Sequence, residues 1–427
     1  MKLRRLGTWL AAVLLALGLL AAAAIWALNL RGEAPVDGSG TAGADAAQIA
    51  RGAYLARLGN CVSCHTRAGG APYAGGRAIA TPFGAVYASN LTPDVQTGLG
   101  GWSPDAFWRA LHHGRSADGR LLYPAFPYPA YTHITHADAD ALFSYLQSLA
   151  PVHQATPAPT LRFPYNTQAA LAVWRALYFR PAPERPAPQT PLQRGAYIAQ
   201  ALGHCAACHS PRDALGGPLR GEALSGAIVP GEYWWAPSLH SPAQAGVADW
   251  SEQDIATLLT SGRSAQAGVS GPMAEVVFHS LQYLTADDAL ALARWLRALP
   301  QHAPAAGPSA PAAAAQVLER GAKLYADYCA ECHQDEGQGK RGAFPALAGN
   351  RAVTMAEPLN LIQITLHGGY LPATAGNPRP HGMPPFRQSM TDADIAAVLS
   401  YIRQAWGNQA GRVDAIAVHR VRERSTY

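Results

Sequence analysis

Cys61-Val62-Ser63-Cys64-His65 recurs as Cys205-Ala206-Ala207-Cys208-His209 and again as Cys329-Ala330-Glu331-Cys332-His333, and these stretches use all six cysteines of the chain. Two thiols at this spacing can each add to a vinyl group of one porphyrin, and the adjoining histidine can reach the iron from the proximal side. C-x-x-C-H is therefore the attachment pattern of c-type haem. It assigns three covalently bound haem c groups, held by the three cysteine pairs with His65, His209 and His333 as proximal ligands. A four-cysteine zinc site would orphan one pair and leave the histidines unexplained. A thioredoxin-type dithiol belongs to a βαβ context, and disulfides do not account for a histidine after every second cysteine.

Working outward, each motif follows a short helical run: Arg51-Gly52-Ala53-Tyr54-Leu55, Arg194-Gly195-Ala196-Tyr197-Ile198 and Arg320-Gly321-Ala322-Lys323-Leu324. Each repeat also closes alike. Thr135-His136-Ala137-Asp138, Thr285-Ala286-Asp287-Asp288 and Thr391-Asp392-Ala393-Asp394 pair a threonine cap with acids in the first turn, a helix start, and Tyr145, Trp295 and Tyr401 stand ten residues after the caps. Trp102-Ser103-Pro104-Asp105 and Trp250-Ser251-Glu252-Gln253 open middle helices in the first two repeats. The fold expected is mainly α: three tandem class I cytochrome c domains behind an N-terminal membrane anchor or signal segment.

The boundaries are 1–30 for the anchor or signal, 31–46 for a Gly/Ala/Ser-rich tether, and 47–151, 191–300 and 314–407 for the domains. Linkers span 152–190 and 301–313, and the tail is 408–427. A chain of 427 residues with 14% charged residues suits small domains around apolar cofactors. Six propionates would offset the formal charge of +5 and leave the holoprotein near neutral, so nucleic-acid binding is not indicated. Lys2, Arg4 and Arg5 precede an uncharged apolar run from Trp9 to Leu28, which places the rest of the chain on the periplasmic side of a bacterial cytoplasmic membrane. Ala21 to Ala24 offers a cleavage site, but the continued Ile25-Trp26-Ala27-Leu28 favours an uncleaved anchor.

The first linker carries an aromatic helix, Ala169 to Phe179, with Asn166 as its expected cap. It is too short to span a bilayer, and either packs on the haem domains or presents Trp174, Leu177, Tyr178 and Phe179 to the membrane or a partner protein. The tail after Trp406 has no apolar run and is assigned no site.

A thioether on the distal side completes a six-coordinate haem that shuttles electrons. Met355 reads as a core residue and Met390, just before the Thr391 cap, as a hydrophobic staple. Met273, in Ser270-Gly271-Pro272-Met273, and Met383, in Gly382-Met383-Pro384-Pro385, lie in Gly/Pro loops and are the candidate distal ligands of the second and third irons. The first repeat has Phe126 at that place, and phenylalanine cannot ligate iron. Of His112, His113, His133 and His136, His133 is the best substitute, although an open or weakly ligated iron beside Phe126 is the preferred expectation.

These motifs, with Tyr123-Pro124-Ala125-Phe126-Pro127-Tyr128 and Arg162-Phe163-Pro164, resemble the triple-haem cytochrome c subunits of bacterial membrane-bound dehydrogenases acting on alcohols, aldehydes, gluconate, sorbitol or fructose. The resemblance implies an electron-transfer subunit, not an enzyme on its own. It would take electrons from a catalytic dehydrogenase subunit with a molybdenum, flavin or quinone cofactor and pass them to ubiquinone or a terminal acceptor. Phe126 departs from the methionine common in that family and leans the reading toward the branch serving molybdenum hydroxylases of aldehydes or N-heterocycles. The rival readings are a peroxidase-like or ligand-binding protein using an open first iron, and a haem subunit of a terminal oxidase.

Overall fold

The computed structural model describes residues 2–30, 45–302 and 311–424. Residues 31–44 of the tether and 303–310 of the Ala/Pro spacer lie outside the described residues. The fold is mainly helical, and its strands form two-stranded antiparallel hairpins. Two compact units divide the chain: Met1–Leu55, Cys64–Pro186 and Asp213–Pro218 form one, and Ala56–Ser63, Ala187–Arg212 and Leu219–Tyr427 the other. The sequence predicted three domains; the second and third repeats fall in one unit.

In the first unit, α1 (Lys2–Leu30) contains an apolar span, Leu6–Asn29, long enough to cross a membrane, with large side chains such as Trp9, Leu17 and Trp26 exposed. α2 (Ala46–Leu58), of which Ala46–Leu55 belong to this unit, runs toward the first cysteine turn, Cys61–Cys64. β1 (Ala78–Thr81) and β2 (Gly84–Tyr87) make the first hairpin. α3 (Pro104–His113) begins where the Ser103 hydroxyl accepts from Ala106 N and ends at Gly114, whose φ of 63° only glycine adopts freely. α4 (His136–Gln147) starts at the Thr135 cap. α5 (Gln168–Tyr178) is the linker helix; its cap is Thr167, which accepts from Ala170 N, and not Asn166 as the sequence suggested. Trp174 and Phe179 also differ from one expectation, since both are buried against Tyr128. Wide rings gain more from that aromatic contact than from facing outward.

In the second unit, α6 (Pro191–Tyr197) continues through a π turn, Ile198–Leu202, to the second cysteine motif. The hairpin β3 (Ala227–Ile228) with β4 (Trp235–Ala236) follows, then α7 (Glu252–Ser261), α8 (Pro272–His279) and α9 (Ala286–Arg297). The third repeat has α10 (Ala315–Tyr328), α11 (Leu359–His367), β5 (Gly369–Tyr370) with β6 (Gly382–Met383), and α12 (Asp392–Gln404). The tail, in which the sequence showed no apolar run, nonetheless packs on the third repeat. Its α13 (Ala415–Arg424) buries Val418 and Val421 in the core of the third repeat, with Val413 just before it, while Arg422 Nε bonds Asp392 at 2.6 Å. Three valines and one arginine suffice because α11 and α12 supply the apolar bed.

The repeats share one helix crossing. A Cβ on Gly52 would stand 1.9 Å from the Ala141 carbonyl oxygen, on Gly195 2.0 Å from that of Ala291, and on Gly321 2.3 Å from that of Ala397. The glycine lets two backbones touch, and the Cβ atoms of Tyr145, Trp295 and Tyr401 pack beside it. The preceding arginine latches the crossing. Arg51 Nε bonds Asp138 at 2.7 Å, Arg194 forks onto both oxygens of Asp288 at 2.8 and 2.7 Å, and Arg320 Nε bonds Asp394 at 2.9 Å.

Within the second unit the two repeats are tied through β4. The Asn360 amide accepts from Trp235 N at 2.8 Å and donates to Trp235 O at 2.7 Å, and Gln363 donates to Tyr233 O at 2.8 Å. Side-chain amides here take the place of a neighbouring strand, which is why these repeats cohere. The turn Ala56–Ser63 joins this unit through the Ser280 hydroxyl, which donates to Leu58 O at 2.9 Å, and through Arg57, 4.8 Å from the Tyr283 ring centroid.

Candidate functional site

All three motif histidines are held alike. The Nδ1 of His65 lies 2.7 Å from Ser89 O, that of His209 2.7 Å from Pro237 O, and that of His333 2.9 Å from Pro345 O. A carbonyl only accepts, so Nδ1 carries the proton and Nε2 keeps its lone pair for a metal. Desolvation lowers the pKa of all three rings against the opposing pull of those carbonyls, favouring the neutral, ligating form.

A second backbone bond fixes each histidine. Gly75 N donates to His65 O at 2.7 Å, Gly226 N to His209 O at 2.8 Å, and Gly339 N to His333 O at 2.9 Å. These glycines adopt φ of 78°, 92° and 65°. A Cβ on them would strike the backbone of Ser89, Ser238 and Pro345 respectively, so each presses against the strand or loop that supplies the carbonyl. Sequence reasoning missed both the glycines and the carbonyls. The histidine-to-carbonyl separations of 24, 28 and 12 residues share no spacing that could have revealed them.

The six cysteines are half-buried, except Cys64, which is exposed. Burial pushes the Cys205 thiol up to about 12 and Cys329 to about 11, so neither is a reactive thiolate near neutral pH. Among the described residues no group of three or more His, Cys, Asp or Glu could hold a metal ion. The donor set fits haem c at each motif: two thiols and one oriented imidazole, whose residue is held by a glycine N–H on its carbonyl.

Met355 is buried, as expected, and so is Met390, in the core of the third repeat. Met273 and Met383 are half-buried. Met383 lies in β6, where Gly368, at φ 66°, fits against its carbonyl oxygen. Met273 differs from the loop expected: it occupies the first turn of α8, after Pro272, which starts helices readily. Gly271 sits against the Trp234 ring and fixes that turn from outside.

In the first repeat Phe126 is half-buried and packs on Tyr128 and Tyr131, with ring centroids 6.4 and 5.4 Å away. His112 and His113 are buried at the end of α3, with His112 Nδ1 3.2 Å from His113 Nε2. Burial, His112 and the cations of Arg175, Arg115 and Arg109 hold His113 down at about 3. His136, as expected, is partly solvated and meets Asp140 at 3.2 Å. His133 has a buried Nδ1 with no hydrogen-bond partner.

The family model for cytochrome c matches residues 49–150 and 318–406. The cytochrome c subunit of a quinone alcohol dehydrogenase from Gluconacetobacter polyoxogenes is 40% identical over 90% of this chain and 86% of its own length. The gluconate 2-dehydrogenase cytochrome c subunit of Pantoea cypripedii is 38% identical over 86% of this chain and 87% of its own. A nicotinate dehydrogenase subunit from Pseudomonas putida is 41% identical over 91% of this chain, which spans 32% of that longer protein.

Proposed function

The chain belongs to the cytochrome c subunits of membrane dehydrogenases, electron-transfer proteins with covalent haem c that work beside a catalytic dehydrogenase subunit, and from that premise we propose that it carries three haems. Their attachment would be Cys61, Cys64 and His65; Cys205, Cys208 and His209; and Cys329, Cys332 and His333. The repeats form three cytochrome domains at 47–151, 191–300 and 314–407, on the periplasmic side of the bacterial cytoplasmic membrane. Electrons leave to ubiquinone or a terminal acceptor.

The observation that carries this reading is the threefold recurrence of an imidazole whose Nδ1–H is spent on a carbonyl. When bound, haem supplies a one-electron Fe(III)/Fe(II) couple. The residues of this chain would orient that couple and set its surroundings: Met273 and Met383 would supply thioethers to the second and third haems, while Phe126 would supply none. Buried nitrogens without hydrogen-bond partners, His133 Nδ1, His112 Nε2 and His113 Nδ1, leave these rings as candidates at the first iron. For the catalytic partner, the relative named for nicotinate, an N-heterocycle, supports the molybdenum-hydroxylase branch.

The test is anaerobic. In membranes containing this chain and its dehydrogenase, the dehydrogenase's substrate should reduce the c-type haem, and a short-chain ubiquinone should reoxidise it. Membranes lacking the chain should lose quinone reduction while keeping dye-linked dehydrogenase activity. Unchanged quinone reduction without the chain, or peroxide turnover by the purified chain, would refute the assignment.

A further inference from the structure

Helix α5 turns an apolar face outward. Ala169, Val173 and Leu177, spaced four apart on one stripe, are exposed, the last two at 43% and 48%, and Phe163 just before the helix is 81% exposed. No charge interrupts the stripe. The one charged residue of the helix, Arg175, is buried and bonded to His113 O, and the Gln168 amide is engaged with the backbone of Leu121. Water does not favour such a face on a helix that already buries Trp174 and Ala176 on its other side.

What covers the face is indicated by α1. Asn29, the last residue of the apolar span, donates from Nδ2 to the Ala172 carbonyl of α5 at 3.1 Å, and Arg115 Nη2 donates to Asn29 O at 2.7 Å. The end of the span is thus pinned to the middle of α5. α5 therefore meets α1 at the end of its apolar span, which on the anchor reading is where α1 leaves the hydrocarbon.

We propose that the Ala169, Val173 and Leu177 stripe, with Phe163 beside it, is a membrane-surface contact that rests in the headgroup and acyl boundary of the bilayer and continues the anchor. The inference rests on reading α1 as an uncleaved anchor. Its consequence is that the first repeat is held against the membrane surface by two elements, α1 and α5, instead of hanging from one.

The experiment uses the full-length holoprotein, whose own cysteines are taken up by haem, so that one introduced cysteine is the free thiol. Leu177→Cys and, as a second position on the same stripe, Val173→Cys are reconstituted into phosphatidylethanolamine/phosphatidylglycerol vesicles and treated with a membrane-impermeant maleimide. Val95→Cys, at a site 76% exposed, is the reference. Haem content equal to the parent reports the fold. The expected result is flotation with the vesicles and labelling at 177 and 173 about tenfold slower than at 95. Flotation with equal labelling rates overturns the stripe while leaving the anchor standing. Loss of flotation overturns the anchor, and the inference with it. Protection that arises only after the dehydrogenase subunit is added assigns the face to that protein and overturns the lipid contact.

Discussion

Gly195 lies directly against the carbonyl of Ala291, so close that a Cβ would stand 2.0 Å from its oxygen. Gly195→Ala must therefore drive α6 and α9 apart, a forced expansion costing about 1–3 kcal/mol or more. Calorimetry should show a lower unfolding midpoint, and covalent haem at Cys205 and Cys208 should fall. Gly101→Ala, with nothing nearer than 3.9 Å, is the tolerated control. Equal melting of the two variants would mean that the close crossing does not limit stability.

The Asn360 and Trp235 pairing predicts how the second unit unfolds. Asn360→Asp keeps an acceptor for Trp235 N but sets a carboxylate against Trp235 O, and should cost about 1–3 kcal/mol. Urea titration of the variant, followed by haem absorbance and by far-ultraviolet circular dichroism, should show one transition more than the parent, as the second unit comes to unfold in two steps.

Asp394 gives a pH dependence. The Thr391 hydroxyl first, then Arg320, hold its carboxyl below the usual range despite the opposing effect of desolvation. A depressed carboxylate contributes stability that is present above the unfolded value of about 3.9 and lost as pH falls through the lower folded value. Asp394→Asn should lower stability at neutral pH by about 0.5–1 kcal/mol and flatten the acid limb of a stability profile. An unchanged acid limb would show that the pair contributes nothing there.

At the first iron, oxidised protein should give one high-spin paramagnetic resonance signal beside two low-spin ones, and one haem of the reduced protein should bind carbon monoxide. Phe126→Met should convert that signal to low spin and raise the potential. Should the parent show three low-spin irons, His133→Ala should abolish one of them.

Thioethers survive unfolding, so denatured parent should retain three haems per chain by pyridine haemochrome, and Cys205→Ala two. Because the second and third repeats share a compact unit, this variant should also lower the unfolding midpoint of the third. A parent ratio of two would remove one attachment site.

Local chemistry was legible in the amino-acid order. Cysteine and histidine spacing, threonine and serine caps, and the apolar run of α1 act over a few residues, so Cys205, Thr285 or Trp9 could be read without knowing what lay opposite. The Arg-Gly pairs were visible as a repeat, yet their purpose was not, because Gly195 needs Ala291 and Arg194 needs Asp288, more than ninety residues away. Tertiary packing alone decided which carbonyl receives each proximal histidine, since those carbonyls sit at unrelated separations. It alone turned Trp174 inward and left Leu177 outside, for a helix period shows that a face is apolar but not what lies against it. Burial and long-range hydrogen bonds are set by the three-dimensional meeting of distant segments, while covalent attachment and capping are set by neighbours in the chain.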